Sequence, residues 1–153
     1  MVKYKDILKI SENFEEEFCS AINNSQDYNR AAKGWGVEFE GALLWMMGAS
    51  GEIIDSLRIF LDLKDGKCLG INILAPNEDI PRDAILILSA PLNIWKEMGT
   101  KRINPNQFIM SGRVKIEGNI ALMMRYSKAA LELGKLAGKQ IFFRKLFTEY
   151  DLG

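Results

Sequence analysis

Gly112-Arg-Val-Lys-Ile-Glu-Gly118, followed by Asn119-Ile-Ala-Leu-Met-Met-Arg-Tyr-Ser-Lys-Ala-Ala-Leu-Glu-Leu-Gly-Lys-Leu136, joins a period of two to a period of 3.6. In the first part Gly112, Val114, Ile116 and Gly118 alternate with Arg113, Lys115 and Glu117, the pattern of a strand with one buried and one wet face. Asn119 then offers a side-chain oxygen to the free amides of a helix start. The helix predicted over 119–136 carries two apolar stripes, one of Ile120, Met123, Met124, Ser127, Leu131 and Gly134, the other of Leu122, Tyr126, Ala129, Leu133 and Leu136. Its charges, Arg125, Lys128, Glu132 and Lys135, are confined to a narrow strip. Most of its circumference must therefore be covered, by a sheet on one stripe and by another helix or a small apolar guest on the other.

The rest of the chain supplies both kinds of cover. Residues 3–24 read as one amphipathic helix with Ile7, Ile10, Phe14, Phe18, Ala21 and Ile22 inward, and Ser25 caps a second helix through Tyr28 to Ala32, ended by Gly34. From Val37 the period becomes two, with Phe39, Gly41, Leu43, Trp45 and Met47 on one face of a first strand. Leu57, Ile59, Leu61 and Leu63 point inward from a second strand. Asp65-Gly66 supplies the positive φ of a tight hairpin, and Leu69, Ile71 and Ile73 share a face of a third strand. Pro76 and Pro81 mark a crossover to Ala84–Leu88, apolar on both faces as in an interior strand. Ser89 to Gly99 then forms a compact helix presenting Leu92, Trp95 and Met98, and Pro105 starts a turn that aims Phe108 and Met110. Beyond Gly138, Phe142, Phe143, Leu146, Phe147 and Tyr150 lie on one side of a final helix.

Composition narrows the function classes. The 153 residues have zero formal net charge, with 48% apolar and 26% charged residues, and no basic cluster offers a footprint for nucleic acid. No apolar run is long enough to span a bilayer and no leader pattern opens the chain, so a cytoplasmic location is the expectation. Cys19 and Cys68 stand far apart and outside any metal-binding spacing, and read as reduced packing residues. Histidine is absent, which removes the commonest general base and the usual nitrogen ligands of transition metals.

The run Ser89-Ala-Pro-Leu-x-x-Trp-Lys-x-x-Gly99, then Pro105 with Phe108-Ile-Met-Ser-Gly-Arg-Val-Lys-Ile-Glu-Gly118 and an apolar helix, resembles the sterol carrier protein type 2 family. Arg113 and Glu117 depart from the family's usual basic residues, but both lie on the wet face. The resemblance implies an α+β fold in one domain over 1–153: helices over 1–34, five sheet strands with short helices over 36–118 (a three-strand meander, a crossover and two further strands), and helices over 119–150 packed on one face. It also implies a non-enzymatic lipid carrier whose apolar tunnel holds fatty acyl chains, acyl-CoA or sterol-like molecules, without cofactor. The chain ends Asp151-Leu-Gly153, without the peroxisomal tripeptide of many eukaryotic members.

The apolar-cavity residues expected from this reading are Trp95, Met98, Phe108, Met110, Ile120, Met123, Met124, Ser127 and Leu131, with Phe142, Phe143 and Phe147 as a lid. Methionine suits such a wall because its flexible thioether fits irregular guests. Lys96, Lys101, Arg102, Arg125 and Lys128 are the basic candidates for a lipid head group. Burying about fourteen methylenes at ~0.8 kcal/mol each yields ~11 kcal/mol, against association costs of roughly 4–15 kcal/mol, so weak to micromolar affinity is expected. Two other readings compete. One is a hydrolase or isomerase resting on Asp55, Asp62 or Glu117. The other is an accessory module with a filled core, whose last helix docks on a partner or makes transient contact with a membrane. The sequence leaves the oligomeric state open.

Overall fold

The computed structural model describes residues 1–101 and 105–153. Two short helices, α1 (Tyr4–Lys9) and α2 (Phe14–Asn23), replace the single helix expected over 3–24. Asn13 breaks it by taking a left-handed conformation at φ 63°, which asparagine tolerates better than most residues. Helix α3 (Gln26–Ala31) begins as expected, the Ser25 hydroxyl accepting a hydrogen bond from the Tyr28 amide.

Strands β1 (Leu43–Gly48), β2 (Leu57–Lys64), β3 (Lys67–Leu74), β4 (Leu86–Pro91) and β5 (Lys115–Gly118) form one mixed sheet in the order β3-β2-β1-β4-β5. The first three are an antiparallel meander, β1 pairs with β4 in parallel, and β5 closes antiparallel to β4. The α+β class and the strand plan are those the sequence predicts. Strand β1 begins only at Leu43, because the preceding segment folds back: the Trp35 indole donates to the Gly41 carbonyl and its ring meets Phe39 edge-on. At the other end Ser89 lies inside β4 rather than capping a helix, and Pro91 ends the strand.

Register puts one apolar face together. Leu43 lies between Leu61 and Leu86, Trp45 between Ile59 and Leu88, and Met47 between Leu57 and Ala90. Helices α4 (Leu92–Lys101), α5 (Pro105–Met110), α6 (Ile120–Arg125), α7 (Ser127–Gly138) and α8 (Ile141–Glu149) join the first three in building the main core on this face. The opposite face holds a smaller cluster of Ala42, Leu44, Phe60 and Leu74 under the crossover segment. Arg58 fixes that segment by donating to the carbonyls of Ala75 and Glu78, both at 2.6 Å.

Strand β3 corrects two expectations. A bulge after Asp62 pairs Asp62 with Gly70 but Leu63 with Cys68, leaving Leu69 unpaired and 61% exposed. The extra residue reverses the alternation, so Cys68 shares the helix-facing side with Ile71. There it forms a disulfide with Cys19 of α2, the Cα atoms 5.4 Å apart. The two cysteines are thus bonded to each other and not reduced.

Candidate functional site

The helix expected over 119–136 is two helices, because Tyr126 leaves helical geometry at φ −106°, ψ 30°. The break follows from packing: the Tyr126 ring stands edge-on to Trp35, 5.1 Å between centroids, and its hydroxyl occupies the space beside Gly34. After the break α7 crosses the sheet face in contact with α2, α3, α4, α5 and α8. Ala129, Leu133 and Ala137 are its buried positions, so the second of the two predicted stripes, extended by one turn, is the core-facing one.

Between α7 and the sheet lies a cavity of about 150 Å³. Its floor is Leu43, Trp45, Met47, Leu63, Leu86 and Leu88 from the sheet. Tyr28, Ala32 and Trp35 close the α3 side together with Met123 and Tyr126. Trp95, Met98 and Gly99 of α4, Phe143 and Phe147 of α8, and Gly134, Lys135 and Gly138 of α7 bound the other end. A side chain at Gly134 would meet nothing within 4 Å, and one at Gly138 would only reach the Gly99 carbonyl at 3.9 Å, so the seam between α4 and α7 is kept open by glycines. The walls are almost wholly apolar. Trp45 and Trp95 meet there with centroids 5.4 Å apart and planes tilted by 43°, and the Trp95 indole N–H donates to the Met46 and Ala90 carbonyls.

The structure sorts the predicted site residues into three groups. Trp95, Met98, Met123 and Leu131 line the cavity, as do Phe143 and Phe147 of the expected lid. Phe108 and Phe142 are buried elsewhere, Phe108 beneath the Arg113 guanidinium and Phe142 against Phe14, while Ser127 is only partly buried and outside the wall. Met110, Ile120 and Met124 are 88%, 48% and 65% exposed and point away from the cavity. The first stripe therefore divides, Met123 and Leu131 facing inward and Ile120 and Met124 outward. Ile120, Met123 and Met124 all belong to α6, where successive positions stand about 100° apart, so the stripe they form is wide enough to reach from the buried side to the exposed one.

Among the basic candidates, Arg125 and Lys128 are exposed and Lys96 is partly buried, whereas Arg102 and the side chain of Lys101 lie outside the described residues. Among the described residues the cation that borders the cavity is Lys135, paired with Glu132 at 3.3 Å. None of the three carboxylates considered for catalysis lines the cavity. Asp55 accepts the Tyr4 amide at 2.7 Å, Asp62 pairs with Arg82, and Glu117 pairs with Lys115 on the exposed face of β5. Among the described residues no group of three or more histidine, cysteine or acidic side chains could hold a metal, and no helix is long and apolar enough to cross a membrane.

Sequence reading missed the α3 side of the wall. Part of its signal was present: Tyr28 and Ala32 are spaced by four on one helical face, while Trp35 lies beyond the helix end and joins them only through the turn at Gly34. The burial of Tyr28 pushes its phenol well above the usual range, desolvation being the sole cause.

A family model described as the SCP-2 sterol transfer family matches residues 50–131, more than half of the chain. Among solved structures, the chain is similar to a crystal structure of sterol carrier protein 2, with 27% identity and a TM-score of 0.66 over 82% of this chain and 93% of that one. It is similar also to the solution structure of a conserved hypothetical protein from Thermus thermophilus, whose description suggests a sterol carrier protein. There the identity is 28% and the TM-score 0.67, over 80% of this chain and 82% of that one. The apo form of sterol carrier protein 2 from Yarrowia lipolytica shares the fold at 16% identity, with a TM-score of 0.52 over 82% and 89% of the two chains. No curated protein sequence matches the chain significantly.

Proposed function

The chain belongs to the SCP-2 sterol transfer family, and we propose that it acts as a non-enzymatic carrier that holds the apolar part of a lipid in the cavity between α7 and the sheet. Family and fold support lipid binding and transfer as the general activity. The observation that carries the finer reading is the apolar cavity itself, bordered by the glycine-lined seam of α4 and α7.

Its size bears on the guest. A void of about 150 Å³ takes a molecule of roughly benzene size, below the ~300–1,000 Å³ of most small-molecule sites. The end of a flexible acyl chain enters such a space, whereas a rigid four-ring sterol requires α4 or α7 to move. About six buried methylenes contribute ~5 kcal/mol, at the low end of association costs, so tight binding also requires the cavity to lengthen. Met47, Met98 and Met123 in its walls are the side chains best able to rearrange for this. We therefore favour fatty acyl chains over rigid sterols. Lys135 stands where an anionic head group would emerge.

Carrier function is favoured over catalysis because Asp55, Asp62 and Glu117 are engaged away from the cavity. Phe143 and Phe147 in the cavity lining, with Phe142 buried against Phe14, favour a wall over a docking helix. Titration of delipidated protein with a fatty acid should change Trp45 and Trp95 fluorescence in a saturable way, and Gly134→Phe, which fills the seam, should abolish the change. A protein that purifies free of lipid by mass spectrometry and gives no saturable signal would show the carrier reading to be wrong.

A further inference from the structure

Tyr28 is 2% exposed, yet its hydroxyl has no hydrogen-bond partner among the described residues; its amide donates to Ser25 and its carbonyl accepts from the Ala32 amide. A buried hydroxyl left unpaired is destabilising, so such groups in folded proteins are almost always satisfied. The oxygen is not sealed among side chains either. Among fully enclosed side-chain nitrogens and oxygens of the described residues, only Arg82 Nε lacks a partner, so the Tyr28 oxygen keeps some open surface, and Tyr28 is one of the residues that line the cavity.

We infer that Tyr28 is a specificity-determining residue whose hydroxyl bonds a single uncharged oxygen of the guest, an alcohol or carbonyl group, at the α3 end of the cavity. This rests on the carrier reading and narrows the ligand class within it. A charged group is disfavoured at that end, because the one charged side chain in the wall among the described residues, Lys135, belongs to the opposite end of α7. From Ala129 to Gly138, both in the wall, α7 rises about 13 Å, which keeps the two ends apart. Desolvation keeps the phenol neutral far into the alkaline range, so it remains both donor and acceptor. A guest with an uncharged oxygen at Tyr28, hydrocarbon along the apolar walls and any charged head group at the Lys135 end, such as an oxygenated acyl chain, satisfies the hydroxyl and the walls together. The nearby Tyr126 hydroxyl is less specific, since that residue is only half-buried and water can serve it.

Cyclohexanol and methylcyclohexane, which differ mainly by a hydroxyl in place of a methyl and suit a cavity of this size, test the inference by NMR titration of the Met123 and Ala129 methyl signals. Tyr28→Phe should weaken cyclohexanol about 3- to 10-fold while methylcyclohexane stays within about twofold. Tyr126→Phe should change both by less than about twofold. Equal losses for the two probes, or none, would overturn the role of Tyr28 and leave the carrier reading standing. Failure of both probes and of fatty acids to bind the unmodified protein would instead remove the carrier reading. Should Tyr28→Phe not fold, the unmodified protein still decides: its Tyr28 hydroxyl proton should become slowly exchanging with cyclohexanol bound and not with methylcyclohexane, and no such difference would refute the inference.

Discussion

The α2–β3 edge and the α4–α7 seam treat their backbones in opposite ways. Strand β3 is an edge strand whose outward groups invite pairing with another chain, and α2 closes it. The Asn23 amide imitates a neighbouring strand, donating to the Cys68 carbonyl at 3.1 Å and accepting from the Cys68 amide at 2.8 Å. Glu15 accepts the Ile73 amide at 2.7 Å, and the Cys19–Cys68 bridge makes the contact covalent. At the seam, Gly138 faces the Gly99 carbonyl and Gly134 opens on empty space, with no side chains to interlock. The molecule is stapled at one side of the sheet and left yielding where a guest would pass.

The staple should prove the larger contributor to stability. Replacing Cys19 and Cys68 by serine, or reducing them, releases a loop of 49 residues and should cost about 2–4 kcal/mol in chemical denaturation. A loss below about 0.5 kcal/mol would mean that packing alone holds α2 in place. Asn23→Ala strands two backbone groups of Cys68 and should cost about 1–2 kcal/mol, with a rise in self-association at high concentration as the edge is uncovered.

The interior beside the seam should reveal itself through pH. Tyr28 has a raised pKa in the folded chain, so below pH 10 its phenol is neutral in both states and its contribution is complete. Above pH 10 the unfolded chain loses a proton that the folded one keeps, and stability should fall by up to about 1.4 kcal/mol per pH unit. Tyr28→Phe should remove that part of the slope. The smallest effect belongs to the seam itself. Gly134→Ala meets no neighbour and should stabilise α7 by about 0.5–1 kcal/mol through helix propensity, while narrowing the way to the cavity. Destabilisation there would mean that the seam is packed more closely than its geometry indicates.

Much of the fold was legible because local pattern and tertiary environment agree. The Asp65-Gly66 hairpin, with φ of 51° and 78°, the Ser25 and Asn119 caps, and the meander followed by a crossover are each encoded within a few residues. At Gly118 the requirement is equally local: φ is 116°, and an added side chain would lie 2.0 Å from the Ile85 carbonyl. The site was legible only in part. Trp95, Met98, Met123 and Leu131 were found from periodicity, but Met110, Ile120 and Met124 have the same character and face outward. Apolar identity alone does not tell a cavity wall from a surface.

What the sequence determined by itself is the α+β plan, the apolar face of β1 and β2, and an α7 that must be covered on several sides, since these depend on spacing along one element. Tertiary structure decided the rest. The bulge after Asp62 turned Cys68 toward Cys19, the packing of Tyr126 on Trp35 broke a long helix in two, and the seating of α6 buried Met123 while leaving its neighbour Met124 exposed. The cavity draws on the sheet and on helices far apart in the chain. A one-residue slip or a single break in a helix reverses which face is buried, and both arise from contacts between elements that no local period records.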